Sequence, residues 1–64
     1  MGGFIKMKYR IINCKKCRVR AKGSSEAEVL MLLPVGTIVN VISKRYGWAH
    51  VDQGYIKAEF LEKI

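Results

Sequence analysis

Short apolar runs separated by turn residues repeat along the whole chain. The runs are rich in β-branched and aromatic side chains, and they occupy residues 9–14, 17–20, 29–33, 37–42, 48–51 and 55–56. Between them lie the segments KGSSEAE, LPVG, SKRYG and DQG, each of which contains at least one residue suited to a turn. Strands that recur about every 8 to 12 residues are typical of small β-barrels and sandwiches. The pattern therefore predicts an all-β domain.

Alternation within the run GTIVNVIS predicts which side chains point inward. A period of two places Thr37, Val39 and Val41 on one face, which we assign to the core. The segment EAEVLMLL has helical propensity, but it is short and Pro34 follows it at once, so a strand is favoured. The final residues, KAEFLEKI, predict one helical turn followed by a short strand.

The same period in GWAHV predicts an inward and an outward pair. Ala49 and Val51 are expected to point into the core, and Trp48 and His50 to point outward, towards solvent or a ligand. An exposed tryptophan next to basic residues can stack on a sugar ring, a base or a proline. The alternative is that Trp48 closes the open end of the fold as a core residue.

The chain is strongly basic, and its charge is unevenly distributed. Twelve Lys and Arg against five Asp and Glu give a net charge of +7, with a pI near 9.8. A cluster of basic residues precedes Glu26, the first acid: Lys6, Lys8, Arg10, Lys15, Lys16, Arg18, Arg20 and Lys22. Such a field favours nucleic acid, an anionic membrane or an acidic cell-wall polymer. A solvated face that keeps a small protein soluble is the alternative.

The length allows one small domain. We assign residues 1–10 to an N-terminal extension or first strand and residues 11–64 to a single domain. No apolar run is long enough for a signal peptide or a membrane span. The chain as written is therefore expected in the cytoplasm, or at the cell wall if it is exported or released by a phage.

Cys14 and Cys17, in the motif CKKC, are the only cysteines of the chain. Together with His50, the single histidine, they leave a structural zinc site one ligand short of four. On an extended chain, positions three apart lie about 10 Å from each other, beyond the roughly 7 Å limit for a disulfide. We therefore expect no metal or cofactor and two inert core thiols, with a bulge or turn between them if both point inward. A disulfide or regulated thiol pair, or a metal with a further carboxylate or second chain, remains an alternative.

Motifs for catalysis are not found in the sequence. The nearest acid to His50 is Asp52, and neither Gly-x-Gly-x-x-Gly nor Gly-x-x-x-x-Gly-Lys-Ser occurs. A lone histidine of this kind is more often a surface residue than a general base. The sequence predicts a protein that is not an enzyme.

The order of the motifs resembles that of bacterial SH3 domains, the SH3b family. The segments CRVRAKGSS, EVLMLLPVGTIVNVI, YGWAHV and GYIKAEFLEKI match the family's pattern in order and spacing from about residue 11 to residue 64. Arg18 stands where the family usually has asparagine, and residues 21–23 replace Ser-Gly-Pro, so the first loop is unusually basic. The resemblance implies a small SH3-like β-barrel of about five to seven short strands. It also implies binding rather than catalysis, often attachment to peptidoglycan in bacteria and phages.

These features predict a non-catalytic module that binds peptidoglycan or a peptide in a bacterial or phage protein. Nucleic-acid binding through the basic face and an intracellular protein–protein adaptor are the alternatives. Aromatic and basic residues near the predicted turns form the expected ligand site. The predicted ligand-binding residues are Arg45, Tyr46, Trp48, His50, Tyr55 and Lys57, with Arg18 and Arg20 as a second, basic part.

Overall fold

The structure is a computed structural model that describes residues 7–64 and folds as one antiparallel sheet of seven strands. In chain order the strands are β1 (Met7–Ile11), β2 (Lys16–Arg20), β3 (Val29–Pro34), β4 (Ile38–Arg45), β5 (Trp48–Val51), β6 (Gly54–Lys57) and β7 (Leu61–Lys63). A 3-10 turn, Ala58–Phe60, separates β6 from β7. The strands lie in the order β3-β2-β6-β5-β4-β1-β7. The predicted all-β, SH3-like fold is confirmed.

The predicted N-terminal extension lies mostly outside the described residues. Its residues 1–6 are not described, and residues 7–10 belong to β1, which pairs with both β4 and β7. Within residues 7–64, no helix has the length and hydropathy that crossing a membrane would require.

Alternation accounts for the core. The buried side chains come from five strands: Tyr9, Ile11, Cys17, Val19, Val39, Val41, Ala49, Val51 and Ile56. They include four of the five residues predicted to point inward. The prediction for Thr37 is only partly correct. This residue is half-buried, because it ends the turn before β4, where its hydroxyl donates a 2.7 Å hydrogen bond to the Pro34 carbonyl.

Two strand boundaries differ from the sequence prediction. The run 9–14 stops early, since β1 ends at Ile11 and Asn13 adopts a φ of 61°. The run 37–42 continues to Arg45, which pairs with Trp48. Tyr46 and Gly47, between them, have φ values of 50° and 80°. Two consecutive positive φ angles form the type I′ turn that matches strand twist, so pairing persists up to the turn.

The strands β2 and β6 approach closely at Gly54. A Cβ on this residue would lie 2.6 Å from the Arg20 carbonyl oxygen and 2.9 Å from Val19 Cγ1, and its φ is 151°. Only glycine combines this backbone conformation with so close an approach. Gly54 therefore sets the spacing that brings β2 beside β6.

The two cysteines lie on either side of a turn. Cys17 is buried in the core and confirms its prediction, whereas Cys14 is half-buried and packs against the core from the connection between β1 and β2. The extended-chain separation assumed from the sequence was wrong, because the backbone bends at residues 13–15. Burial, together with the charge of the neighbouring Cys14 and a hydrogen bond to it, raises the pKa of Cys17 to about 11.

A thiol with so high a pKa stays protonated at neutral pH, which makes it a poor nucleophile and a poor metal ligand. Both cysteines are free thiols. No group of three or more His, Cys, Asp and Glu within residues 7–64 is placed to hold a metal ion.

Candidate functional site

A row of aromatic and cationic residues crosses the outer side of the sheet. Trp48 of β5 pairs with Arg45 of β4 on one side and with Lys57 of β6 on the other. Extending the Arg20↔Tyr55 pairing of β2 and β6 by two residues brings Arg18 beside Lys57. Directly paired residues point to the same face of a sheet. The row therefore consists, from β4 to β2, of Arg45, Trp48, Lys57 and Arg18.

A second row runs parallel to the first, two residues further along each strand. His50 of β5 pairs with Ser43 of β4 and with Tyr55 of β6, and Tyr55 pairs with Arg20 of β2. The His50 and Tyr55 rings stack, with centroids 4.5 Å apart and planes 7° from parallel. Stacking fixes the orientation of the two rings relative to each other.

The two rows define a cationic–aromatic face. Seven of the eight residues predicted from the sequence lie on it: Arg18, Arg20, Arg45, Trp48, His50, Tyr55 and Lys57. Tyr46, the eighth, lies at its rim in the turn between β4 and β5, where its side chain is 96% exposed. The structure thus brings the two predicted parts of the site together on one surface; their role in binding stays a prediction.

The loop formed by residues 21–28 crosses this face and divides it into two grooves. A Cβ on Gly23 would lie 3.2 Å from Trp48 Cβ and 3.5 Å from Tyr55 Cδ2, so the loop rests directly on the aromatic residues. Arg20 holds the loop from below, since its Nη1 donates a 2.9 Å hydrogen bond to the Ala27 carbonyl.

On one side of the loop is the aromatic groove, with a volume of about 340 Å³. Its walls are mainly rings, with a single arginine. The residues that line it are Gly23, Ser43, Arg45, Tyr46, Trp48, His50 and Tyr55.

The cationic groove lies on the other side and has a volume of about 270 Å³. Four of the nine residues that line it are basic and none is acidic: Cys14, Lys16, Cys17, Arg18, Arg20, Ser25, Trp48, Lys57 and Phe60. Only Trp48 lines both grooves. It is half-buried, so part of the side chain packs against the protein and part is open to both grooves, and its contact with a ligand stays a prediction.

The two grooves differ in charge. Within residues 7–64, none of Lys16, Arg18 and Lys57 forms a salt bridge. Like charges held close without counter-charges repel one another, and an anionic group placed between them relieves that repulsion. Arginine also binds carboxylates and phosphates through two parallel hydrogen bonds. The cationic groove is therefore suited to an anionic group, and the aromatic groove to a flat or apolar one.

Sequence reasoning missed part of both grooves. Lys16 was not predicted, although it has the same period as Arg18 and Arg20 on β2, and that alternation would have identified it. Phe60 follows from neither alternation nor charge, because it comes from the 3-10 turn. Gly23 carries no local signal, since its contact with Trp48 depends on how the loop folds back.

Among residues 7–64, the geometry does not pair His50 with an acid. Its ring stacks on Tyr55, whereas the carboxylate of Asp52 accepts a 3.1 Å hydrogen bond from Asn40 Nδ2. The face thus offers stacking and ionic contacts. These are the interactions of a binding surface.

A family model described as the bacterial SH3 domain matches residues 16–62, well over half of the chain. The chain therefore belongs to the bacterial SH3 domain family, and the resemblance noted in the sequence is confirmed. Domains of this family are generally non-catalytic binding modules, often related to the cell wall. Searches of curated proteins and of solved structures returned no significant match.

Proposed function

We propose that the cationic–aromatic face binds the peptide part of bacterial peptidoglycan. The observation that carries this proposal is the position of Trp48, the wall shared by the aromatic groove and the cationic groove. A ligand that passes over Trp48 contacts both grooves at once. An extended peptide has this shape, and family membership favours a cell-wall ligand.

The sizes of the grooves support a slender ligand. Ligand sites range from roughly 300 to 1,000 Å³; the aromatic groove, at about 340 Å³, lies near the lower limit and the cationic groove, at about 270 Å³, lies just below it. Each groove therefore accepts a group about as large as one or two side chains. Aromatic walls contribute contact area at little entropic cost, because their side chains have few rotatable bonds.

The charge of the cationic groove also fits this ligand. Peptidoglycan peptides carry free carboxylates, and Arg18 and Lys57 present two unpaired cations beside Trp48. Exposed ion pairs each contribute about 0–1 kcal/mol, so these contacts orient the ligand while the aromatic contacts supply most of the affinity.

Tyr46 gives a further indication of a binding role. Its φ of 50° is unfavourable for a bulky residue, and its side chain is almost fully exposed, so it contributes little to folding. An exposed aromatic at a strained turn position, next to a groove, is typical of residues retained for contact with a ligand.

Single-stranded nucleic acid is a second candidate ligand. The two rows combine cations with aromatic rings on one surface, and single-stranded nucleic acid is bound by surfaces that stack bases on rings and contact phosphates with cations. This alternative predicts affinity for oligonucleotides that falls steeply as salt increases. The adaptor role and the location of the chain in the cell remain predictions from the sequence.

Retention on purified peptidoglycan tests the first proposal. We expect Trp48→Ala to weaken retention at least about tenfold, the loss typical of a central aromatic contact. Ile38→Ala serves as the matched control, because Ile38 is an exposed apolar residue that lines neither groove, and it should bind like the wild type. Circular dichroism would verify that each variant is folded.

Two outcomes would contradict the proposal: equal retention of wild type and Trp48→Ala, or retention of neither. A parallel titration with a single-stranded oligonucleotide, at low and high salt, separates the two candidates. Salt-sensitive oligonucleotide binding that is lost in Arg18→Gln, without retention on peptidoglycan, would favour nucleic acid.

A further inference from the structure

The end of β3 and the turn that follows it expose apolar side chains at one corner of the sheet. Leu32 and Val35 are 52% and 54% exposed, and Pro34, in the same segment, is exposed as well. The strand β3 itself carries no charged residue. Large apolar side chains that lie exposed next to one another mark an interaction surface.

Two exposed cations of β2 lie beside these apolar side chains. Arg18 pairs with Leu32, and Lys16 pairs with Pro34. Because directly paired residues point to the same face of a sheet, each cation lies next to its apolar partner.

A third cation, Lys15, lies beside the turn. Its carbonyl accepts a 2.9 Å hydrogen bond from the Val35 N–H, and its side chain is exposed. Within residues 7–64 these three cations form no salt bridge, and the nearest acids along the chain, Glu26 and Glu28, precede the other end of β3. We call this surface the basic–apolar corner. It consists of Lys15, Lys16, Arg18, Leu32, Pro34 and Val35.

The backbone of the turn is hydrogen-bonded within the protein. The N–H groups of Val35 and Gly36 donate to carbonyls within residues 11–15, at 2.9 and 2.8 Å. Pro34 has no N–H, and its carbonyl accepts bonds from the N–H of Thr37 at 3.2 Å and from its hydroxyl at 2.7 Å. An unpaired backbone group is costly in lipid, so a turn with these groups already bonded can enter apolar surroundings.

The edge of β3 is poorly suited to accept a further strand. Val19 pairs with Met31 and Arg20 with Val29, which leaves Leu30 as a bulge. A bulge interrupts the hydrogen-bond ladder and is one of the features that protect an edge against pairing. The basic–apolar corner therefore offers side chains to a partner rather than backbone hydrogen bonds.

We propose that the basic–apolar corner binds the surface of an anionic lipid bilayer. Leu32 and Val35 enter the boundary between headgroups and acyl chains, while Lys15, Lys16 and Arg18 contact the lipid phosphates. Long cationic side chains can lay their stems on apolar surface and keep their charged ends among the headgroups. Charge complementarity selects this occupant, because an anionic bilayer presents negative charge directly beside apolar surface. The proposal does not rest on the function proposed for the cationic–aromatic face.

Sedimentation of the full chain with lipid vesicles tests the proposal. We expect binding to vesicles of phosphatidylcholine mixed equally with phosphatidylglycerol, and none to phosphatidylcholine alone. Val35→Ser should lower the partition coefficient about fivefold, because an apolar side chain is lost from the contact. The matched control is Ile64→Ser. Ile64 is 59% exposed, and its N–H donates to the Lys8 carbonyl near the start of β1, at the other end of that strand from the corner, so this variant should bind like the wild type.

Charge variants test the contribution of the cations. Lys15→Gln should also lower the partition coefficient about fivefold, the effect of one basic residue close to an anionic membrane. Lys63→Gln removes the same net charge from β7, outside the corner, and should have a much smaller effect. Equal losses in the two glutamine variants would overturn the proposal, and so would equal losses in the two serine variants.

Three further results would overturn the proposal: no binding to either kind of vesicle, equal binding to both, or weakening by Lys15→Gln without weakening by Val35→Ser. The last result would indicate a soluble polyanion such as nucleic acid as the partner. Circular dichroism would verify that each variant is folded.

Retention on peptidoglycan separates this proposal from the function proposed above. Lys15 and Val35 line neither groove, so Lys15→Gln and Val35→Ser should be retained like the wild type. Normal retention of a chain that binds no vesicles would overturn the bilayer contact alone. Vesicle binding without retention on peptidoglycan would support the bilayer contact and contradict the proposed function alone.

Discussion

The cationic–aromatic face and the strand β3 are neighbouring surfaces of opposite character. They share β2, whose Arg18 and Arg20 belong to the face and whose other edge carries β3. On the face, each exposed residue alternates with a buried one, as in Trp48–Val51. In β3 the alternation fails, and nearly every side chain is exposed.

This difference separates two kinds of contact. Cations and half-buried rings are well solvated, so the face is stable when free and binds through orientation and charge. Exposed aliphatic side chains lose the roughly 25 cal/mol per Å² that burial would contribute, so β3 gains most from being covered. Salt should therefore weaken ligand binding at the face, because it screens the charges there.

Gly54→Ala should have the largest effect, because it acts on both regions together. The new Cβ would meet the Arg20 carbonyl at 2.6 Å, Val19 Cγ1 at 2.9 Å and, in β3, Leu30 Cδ1 at 3.4 Å. We expect a loss of about 3 kcal/mol in the free energy of unfolding, enough to unfold most molecules of so small a domain. Urea unfolding followed by circular dichroism measures it.

Gly36→Ala is the control for this prediction. Gly36 also has a positive φ, of 92°, but a Cβ there would meet no atom within 4 Å. Gly36→Ala should lower the free energy of unfolding by only about 1 kcal/mol, which is the strain of the backbone conformation alone. Equal losses in the two variants would show that the close approach of β2 and β6 is unimportant.

Raising the pH should destabilise the core beneath the two regions. Cys17 is a residue of β2 whose side chain is buried in the core, and burial, with smaller contributions from Cys14, raises the pKa of its thiol from 9.0 to about 11. Between these values the unfolded state loses its proton first and binds fewer protons than the folded state. The free energy of unfolding should therefore fall by about 2 to 3 kcal/mol from pH 9 to pH 11, and be fully retained below pH 9.

Urea unfolding across this pH range measures the effect of Cys17. Other groups titrate here too, so the informative quantity is the difference between wild type and Cys17→Ala. The variant should lack this part of the decline. Parallel pH profiles for the two proteins would contradict the buried thiol's contribution.

Tyr46→Asn should have the smallest effect, and it sharpens the contrast between the two regions. Asparagine tolerates a φ of 50° better than tyrosine, so we expect the unfolding free energy to rise by about 0.5 to 1 kcal/mol. Retention on peptidoglycan should fall a few-fold, because the exposed ring is lost from the aromatic groove. Tyr46→Phe should resemble the wild type in both measurements. If Tyr46→Asn is retained on peptidoglycan as well as the wild type, Tyr46 does not contribute to ligand binding.

Much of the fold could be predicted from the sequence because alternation is a local signal. Val39, Val41, Ala49 and Val51 were assigned to the core from a period of two alone, and they are buried. The failures lie where local conformation overrides the period. Asn13 ends β1 early through its positive φ, and a bend at the same place makes Cys14 only partly a core residue.

The candidate site could be predicted in composition but not in layout. The sequence indicated the aromatic and basic residues, but it treated Arg18 and Arg20 as a separate region from Trp48 and Lys57. Their union depends on the pairing of β2 with β6, between strands more than thirty residues apart in the chain. No local sequence pattern predicts a pairing between strands so far apart in the chain.

The sequence by itself determined the strands, the inward faces, the positive charge and the family, because each follows from residue types at short spacing. Only the tertiary structure decided that Trp48 lies between two grooves, that the loop at Gly23 divides them and that β3 is left at an edge. The physical reason is that strand order and loop placement are set by contacts between distant segments. These contacts depend on how the whole core packs, which no single stretch of the chain encodes.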